Sequence, residues 1–400
     1  MVPTPSLGQT ELMDFSIPEE LTALRASFAS FLEREVRPLD ESLHSEYWSE
    51  HPDREVIHDA AQRIRLRSAQ EGFYAAYLPE EVGGQGLSTL GTALLVEDAA
   101  RTGMRLALAA ISPPNPAGPS PLLLRLPTHV RDAWLPALVS AEKSMCFALT
   151  EPEAGSDAQA IRTTAVKDGD GWRINGHKHY ITNAEHADVA IVFAVTDAEK
   201  RAAGGITAFL VPSDQFRRGS VQYTHADSHP AELFFDDAWV ADDHVIGEVG
   251  TGFFTAMEFL NAGRAHIGAQ ALGLAEYCLD IAIAHAQSRT AFGKPIGKFQ
   301  SVSFPLADSK ADIEAMRWLV YHLAWEVDRG DNPMLDASIV KYYCTEKAYT
   351  VADRALQTLG GMGLLREGPV ERVLRHLRML RVVEGSTSIQ QLVISRGLGL

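Results

Sequence analysis

From Ile17 to about Cys146 apolar residues recur at three- and four-residue spacing, beginning with Leu21, Leu24, Phe28 and Phe31. That is the period of helices that bury one face. Ser16, followed by Pro18 and Glu19, reads as the N-cap of the first helix. The stretch ISPPNPAGPSP (111–121) holds five prolines and cannot be helix interior, so it predicts an extended surface loop. Between about Phe147 and Gly250 the period changes to two. Strands are predicted at Thr163–Val166, Trp172–Ile174, His179–Thr182, Asp188–Val195, Ile206–Val211, Val221–Thr224 and Ala231–Val240, with turns at DGDG (168–171), NG (175–176) and GG (204–205). Short strands without intervening helical windows indicate an antiparallel barrel or sandwich, not a doubly wound sheet. After Gly252 the helical period returns in four stripes, Met257–Ile281, Leu306–Val327, Leu335–Ala355 and Val370–Leu380, separated by GKPIG, RGDNP and LGGMG. The predicted fold class is α+β: an N-terminal helical domain (1–146), a middle β domain (147–250) and a C-terminal four-helix bundle (251–400). No internal repeat or low-complexity tract interrupts this order.

Length supports the division, since 400 residues exceed one ordinary core. Thirty-six Lys and Arg stand against 52 Asp and Glu, a formal charge of −16, which argues against general binding to nucleic acid or anionic membranes. Any polyanionic ligand must therefore meet a local basic site. Apolar residues are 46% and charged residues 22%, a soluble globular balance without an apolar run of membrane-spanning length. Cys146, Cys278 and Cys344 are far apart, so neither a disulfide framework nor a zinc knuckle is expected. The first fifteen residues carry no apolar or Arg-rich targeting pattern, and a cytoplasmic location is expected.

Several chemistries are missing. No GxGxxG follows a strand, and GKPIGK (293–298) lacks P-loop spacing. His177 and His179 lie two apart on a predicted strand. With no carboxylate near them in sequence, they read as a solvated strand face, and no metal is expected.

The most specific string is ALTEPEAGSD (148–157), whose hydroxyls, Pro turn and Gly-Ser pair suit a loop offering backbone N–H groups to a phosphate or ring carbonyl. The residues alone fit an ordinary turn into the sheet equally well. With the α, β, α order, however, the string strongly resembles the TEPxAGSD signature of the acyl-CoA dehydrogenase flavoproteins. Ordered similarities continue in LPEEVGGQGLS (78–88), HYITNA (179–184), VIGEVGTGF (245–253), RTAFGKPIGKFQ (289–300), ALQTLGGMG (355–363), ERVLR (371–375) and VVEGSTSIQ (382–390).

The resemblance implies FAD as cofactor, an acyl-CoA substrate, an electron-transfer flavoprotein as acceptor and a homo-oligomer, a tetramer by the packing of bundle faces in the family. Phe147, Leu149, Thr150, Gly155 and Ser156 would contact the flavin and its phosphates, with Ser156 also near the acyl-CoA. Tyr180, Ile181 and Thr182 would cover the isoalloxazine edge. Arg289, Phe292, Gln300, Gln357, Gly360 and Gly361 match positions that hold the adenylate half across a subunit interface, and Gly385, Ser386 and Ser388 would complete the cofactor site. On their own chemistry, Arg289 could equally close a surface ion pair and Gln300 cap a helix. Arg264 matches an arginine near the CoA end, with Asn261 where some members have Asp. Arg372, Arg375, Arg378 and Arg381 read as a solvated or salt-bridged helix face.

Glu384 stands at the place of the family's base. It would take the α-proton while flavin N5 takes the β-hydride, giving the trans-2-enoyl-CoA, and an apolar setting would raise its pKa toward the operating pH. The alternative is that Glu384 merely caps the following helix. Some branches place the base immediately before the equivalent of Arg264, where this chain has Gly263. Val383 replaces the usual Tyr, which predicts a roomier pocket for a branched or functionalised acyl group. A helix over Gly91–Ile111, with Leu94, Leu95, Leu106, Leu108 and Ile111, would line the acyl tail. The runner-up activity is a flavin oxidase or monooxygenase on the same fold; a non-catalytic binding protein would need a broken flavin site.

Overall fold

The computed structural model of the chain describes residues 16–48, 52–113, 116–226 and 228–400. The absence of a targeting pattern in the first fifteen residues lies outside these, as do two residues of the proline-rich loop. Among the described residues six α-helices form the N-terminal part: α1 (Glu19–Phe31), α2 (Arg37–Ser42), α3 (His44–Trp48), α4 (Arg54–Gln70), α5 (Thr89–Arg101) and α6 (Thr128–Val139). Phe28 and Phe31 are fully buried and meet Phe73 at ring distances of 5.1 and 5.5 Å. The first helix starts two residues later than expected, with Pro18 rather than Ser16 at its N-cap. The helix expected over Gly91–Ile111 ends at Arg101. Gly103 stops it with φ +69°, pressed where the Tyr277 ring would lie 2.3 Å from a Cβ.

Seven strands make one curled sheet: β1 (Met145–Ala148), β2 (Thr164–Asp168), β3 (Gly171–Ile181), β4 (Val189–Val195), β5 (Ile206–Pro212), β6 (Arg217–Val221) and β7 (Ala231–Ala241). Pairing is mostly antiparallel, but β1 runs parallel to β4. Every residue of β4 is buried, and alternation divides it between two cores. Val189, Ile191, Phe193 and Val195 join Tyr74 and Leu78 of the N-terminal part, whereas Ala190, Val192 and Ala194 join Ile174 and Leu233.

The expected turn at Asn175–Gly176 does not exist: the two strands predicted around it are one, β3. Gly176 sits at a register shift against β7, where a Cβ would stand 2.3 Å from Thr163 Oγ1. Asn175 exchanges side-chain and backbone hydrogen bonds of 2.9 Å with Asp237 across the irregularity. The strand expected at Val221–Thr224 instead occupies 217–221.

The C-terminal part holds α7 (Gly252–Ser288), α8 (Gln300–Asp328), α9 (Met334–Leu359) and α10 (Pro369–Leu380), with a small hairpin β8–β9 (Thr290–Ala291, Lys294–Pro295) between α7 and α8. A fifth helix not foreseen, α11 (Thr387–Gly397), packs along α9. By length and composition α7 could cross a bilayer, but 72% of its apolar window is buried inside the protein. Its Ala- and Gly-rich middle makes the bundle axis, with α5 of the N-terminal part against it.

Candidate active site

One turn of α7 gathers the groups expected to do chemistry. Phe147, at the end of β1, stacks on Phe259 of α7 at 5.0 Å and 25°. Four residues further, about 6 Å along the axis, a Cβ at Gly263 would stand 3.2 Å from Glu384 Oε2. The sheet edge and the expected base are thus referenced to the same short piece of helix.

Glu384 lies between α10 and α11 with φ +55°, and Gly385 follows at φ +90°. A non-glycine residue held in the left-handed region marks a loop whose conformation is imposed by its surroundings. Those surroundings are identifiable. Lys341 of α9, fully buried, donates to the Gly385 carbonyl at 2.7 Å. Gln390 of α11, also fully buried, donates to the carbonyls of Gly385 (3.0 Å) and Glu384 (3.2 Å). Arg264 donates to Asn261 at 2.7 Å and Ser338 at 3.3 Å. Arg264 is 7% exposed, and its charge acts on Glu384.

Burial pushes the Glu384 carboxyl up to about 7, against the opposing pull of Lys341 and Arg264. Burial likewise brings Lys341 down to about 8. Glu384 Oε2 is buried without a hydrogen-bond partner, as suits a base whose partner is a substrate C–H. It does not cap α11, because Ser386 occupies that N-cap position. Ser386 makes no side-chain capping bond, and Ser388 is exposed on the first turn.

The loop after β1 is fixed from below by a buried ion pair missed in the sequence. Lys178, fully buried on β3, donates to Glu151 Oε1 at 2.8 Å and to the Leu149 carbonyl at 3.1 Å. Glu151 also accepts from the backbone N–H groups of Arg162 (2.5 Å) and Thr163 (3.0 Å). With Glu151 held below, Gly155 and Ser156 are exposed above. Leu149 packs into the core and Thr150 accepts from the His179 N–H at 2.9 Å. On the facing strand end, Tyr180 has φ +55° and is 60% exposed, and Thr182 is exposed too. Ile181 between them is buried among sheet residues, so its side chain turns away from the loop. Leu94, Leu95, Leu106 and Ile111 are buried, and Leu108 is half-buried.

The remaining expected cofactor residues form a separate, open surface. Arg289, Phe292, Gln300, Gln357, Gly360 and Gly361 are all exposed, Phe292 by 94%. Arg289 and Phe292 lie at the β8–β9 hairpin, Gln300 begins α8, and Gln357, Gly360 and Gly361 lie at the end of α9, which is tied to α8 by the Arg354–Asp312 ion pair of 3.0 Å. Arg289 follows the last residue of α7, about 39 Å along the helix from Gly263 at 1.5 Å per residue. Of the arginine row on α10, Arg375 pairs with Glu371 at 2.8 Å and Arg381 with Glu346 at 2.7 Å. His177 and His179 do have a carboxylate beside them, Glu232 of β7.

These surfaces fit a flavin nucleotide. The exposed Tyr180 ring and the Thr182 and Ser156 hydroxyls offer a flat neighbour and hydrogen-bonding groups. At Gly155, Gly360 and Gly361 no atom lies within 4 Å of where a Cβ would be, leaving open backbone for a ligand. Comparison with known proteins agrees. Residues 18–142, 146–238 and 250–399 match the N-terminal, middle and C-terminal domains of acyl-CoA dehydrogenases. The chain is 36% identical over 383 residues to the human mitochondrial short-chain specific acyl-CoA dehydrogenase, covering 95% of this chain and 90% of that one. Butyryl-CoA dehydrogenase from Megasphaera elsdenii superposes with TM-score 0.84 at 33% identity, covering 97% of this chain and all of the other. The FAD complex of PigA superposes with TM-score 0.87 at 27% identity, with coverage of 97% and 100%. Three successive domain matches across a chain with one Glu384–Gly263 site leave one conclusion: this protein belongs to the acyl-CoA dehydrogenase family, oxidoreductases that use FAD.

Proposed function

We propose that the protein removes two hydrogens from Cα and Cβ of an acyl-CoA thioester, with Glu384 as the base. The observation that carries this is the Glu384 carboxyl itself: its Oε2 is buried and unpartnered, its pKa is near neutrality, and it is seated over a glycine that leaves room for substrate. Ionised Glu384 takes the α-proton, and the Cα=Cβ double bond forms as the β-hydrogen leaves with its electron pair. Bound FAD supplies the acceptor for that pair. Lys341 and Gln390 hold the peptide after the base, so its direction is set before substrate arrives. The backbone N–H of Glu384 is the donor we assign to the thioester oxygen. Val383 in place of a ring favours a branched or functionalised acyl group, and an electron-transfer flavoprotein is the acceptor we expect to reoxidise the enzyme.

The 39 Å between Gly263 and Arg289 exceeds the reach of an extended FAD, so we assign the exposed Arg289 surface to the flavin of a second copy. A homo-oligomer, at least a dimer, follows from this reading, and the family resemblance makes a tetramer the assembly we expect. Three buried free thiols suit a reducing compartment such as the cytoplasm.

The test is an anaerobic absorbance titration of the FAD-loaded protein with straight, branched and dicarboxylic acyl-CoAs. Bleaching of the flavin band by one class, lost in Glu384→Gln, is expected. No bleaching by any thioester would overturn the reading, and rapid reoxidation of reduced flavin by oxygen would turn it toward an oxidase.

A further inference from the structure

We propose that His177, His179 and Glu232 form a binding site for one divalent metal ion of the borderline class, with Zn2+ the best-suited occupant. The site arises from strand register. His177 pairs with Phe234 and Lys178 with Leu233 across β3 and β7, and the ladder resumes one residue out of step at Ile181–Ala231, so Glu232 and His179 face each other within the slip. Residues two apart on a strand share a face, and directly opposed residues of an antiparallel pair share it too. Both imidazoles and the carboxylate therefore project to one side.

The distances match coordination chemistry. Glu232 Oε1 lies 3.1 Å from His177 Nε2 and 3.3 Å from His179 Nδ1, and one ligand atom of each residue lies within 4.8 Å of the others. Donors about 2.0–2.1 Å from a tetrahedral zinc stand about 3.3 Å from each other. His179 Nδ1 is buried and makes no hydrogen bond despite its proximity to the carboxylate, so its nitrogen is directed into the space between the three groups. The supports of a metal site are present as well. His177 is stacked on Phe234 at 4.2 Å and 15°, and the second oxygen of Glu232 accepts from the Ser220 N–H at 3.0 Å. Such contacts fix ligand orientation before an ion arrives. The three side chains are 17–33% exposed, leaving a path for the ion and a position for water. Two imidazoles and a carboxylate select zinc and its transition-metal neighbours over Ca2+ or Mg2+, which favour all-oxygen sets.

Other mixed clusters among the described residues lack this combination. Glu55, Glu185 and His186 offer one imidazole, and Glu185 already pairs with Arg54. His322, Glu326 and Asp336 also offer one imidazole. The 177–179–232 ion would clasp β3 to β7 immediately before the bulge that presents Tyr180 and Thr182, acting on the sheet edge and not on the reacting bond.

The test uses the full FAD-loaded chain, stripped with a chelator and titrated with Zn2+ alone by calorimetry, with bound metal counted by mass spectrometry after gel filtration. One ion per chain is expected. Affinity should fall more than about tenfold in each of His177→Asn, His179→Asn and Glu232→Gln, while His322→Asn binds as the parent does. Zn2+ should also raise the Tm of the parent and leave that of the three variants unmoved, since an ion that binds only the folded state stabilises it. Flavin absorbance confirms which variants are folded, and any two suffice. Absence of stoichiometric zinc in the parent, or equal binding in folded variants, would overturn the proposal.

Discussion

Gly263 on α7 and Glu384 on the α10–α11 loop share one point of the site: a Cβ at 263 would stand 3.2 Å from Glu384 Oε2. The proposed base and the position before Arg264 therefore converge in space, and the side chain of one requires restraint in the other. Gly263→Ala should push the carboxylate aside by a few tenths of an ångström without unfolding α7. A loss of kcat of up to about tenfold is expected, because small misplacements of a reacting group are costly, with KM nearly unchanged. Steady-state kinetics with the thioester found by titration would check this.

On the proposed mechanism, ionisation of Glu384 sets the pH dependence. Burial holds Glu384 at about 7, so kcat/KM should rise with pH through about 7 and level off above it. Glu384→Gln should lose about 10²–10⁴-fold in flavin reduction. It should also change stability in a defined direction. A carboxyl whose folded pKa lies above its ordinary 4.5 gives stability that is full below 4.5 and fades as pH rises through about 7. The Gln variant lacks this loss, so its Tm should match the parent's under acid conditions and exceed it above pH 7. Paired melting curves across that range test the sign.

Lys341 should be felt in the same profile. Its ammonium favours the ionised form of Glu384 and holds the Gly385 carbonyl at 2.7 Å. In Lys341→Met the base loses the cation that acts on it most strongly, so the acid limb of kcat/KM should move to higher pH. Gln390 still donates to the same carbonyl, so the loop persists and flavin content should be unchanged. A rate loss without movement of the limb would reduce Lys341 to a structural role.

The elements most visible in the sequence are those whose signal is local. The helical stripes of α7–α10 and the all-apolar β4 follow from periodicity, and Glu384 follows from a motif. What stayed hidden depends on partners far apart in the chain. Asn175–Gly176 has the composition of a hairpin turn, yet Thr163 and Asp237 convert it into a strand irregularity. Lys178 reads as one polar residue in an alternating strand until Glu151 is seen 27 positions away. Lys341 and Glu232 likewise gain meaning only across α9 and β7, where no spacing rule links them to Glu384 or the histidines.

The buried Lys178–Glu151 pair yields a stability prediction. Lys178→Met leaves a carboxylate 6% exposed, with its backbone donors but no cation. Removing one partner of a buried pair costs about 3–5 kcal/mol. Since Glu151 belongs to the loop that presents Gly155 and Ser156, the variant should also lose FAD on gel filtration. Adding Glu151→Gln removes the stranded charge and should restore part of the stability but less of the flavin retention. Denaturant titrations of the two variants separate these effects.

Separation of Arg289 from Gly263 by about 39 Å of helix makes a prediction that only an oligomer can satisfy. If the Arg289 surface serves the flavin of another copy, each site combines Glu384 from one chain with Arg289 from its neighbour. Arg289→Ala should bind FAD weakly, because a planar bidentate cation facing phosphate is lost, and Glu384→Gln should bind FAD yet fail to reduce it. Co-expressed, the two inactive chains should regain activity: the Glu384 of the Arg289→Ala chain meets the intact Arg289 of the Glu384→Gln chain. A closed symmetric assembly then holds one wild-type site beside one doubly defective site. Activity in the co-purified hetero-oligomer, absent from either variant alone, is the expected result. An inactive mixture whose hetero-oligomers are verified by mass spectrometry would place each FAD within a single chain.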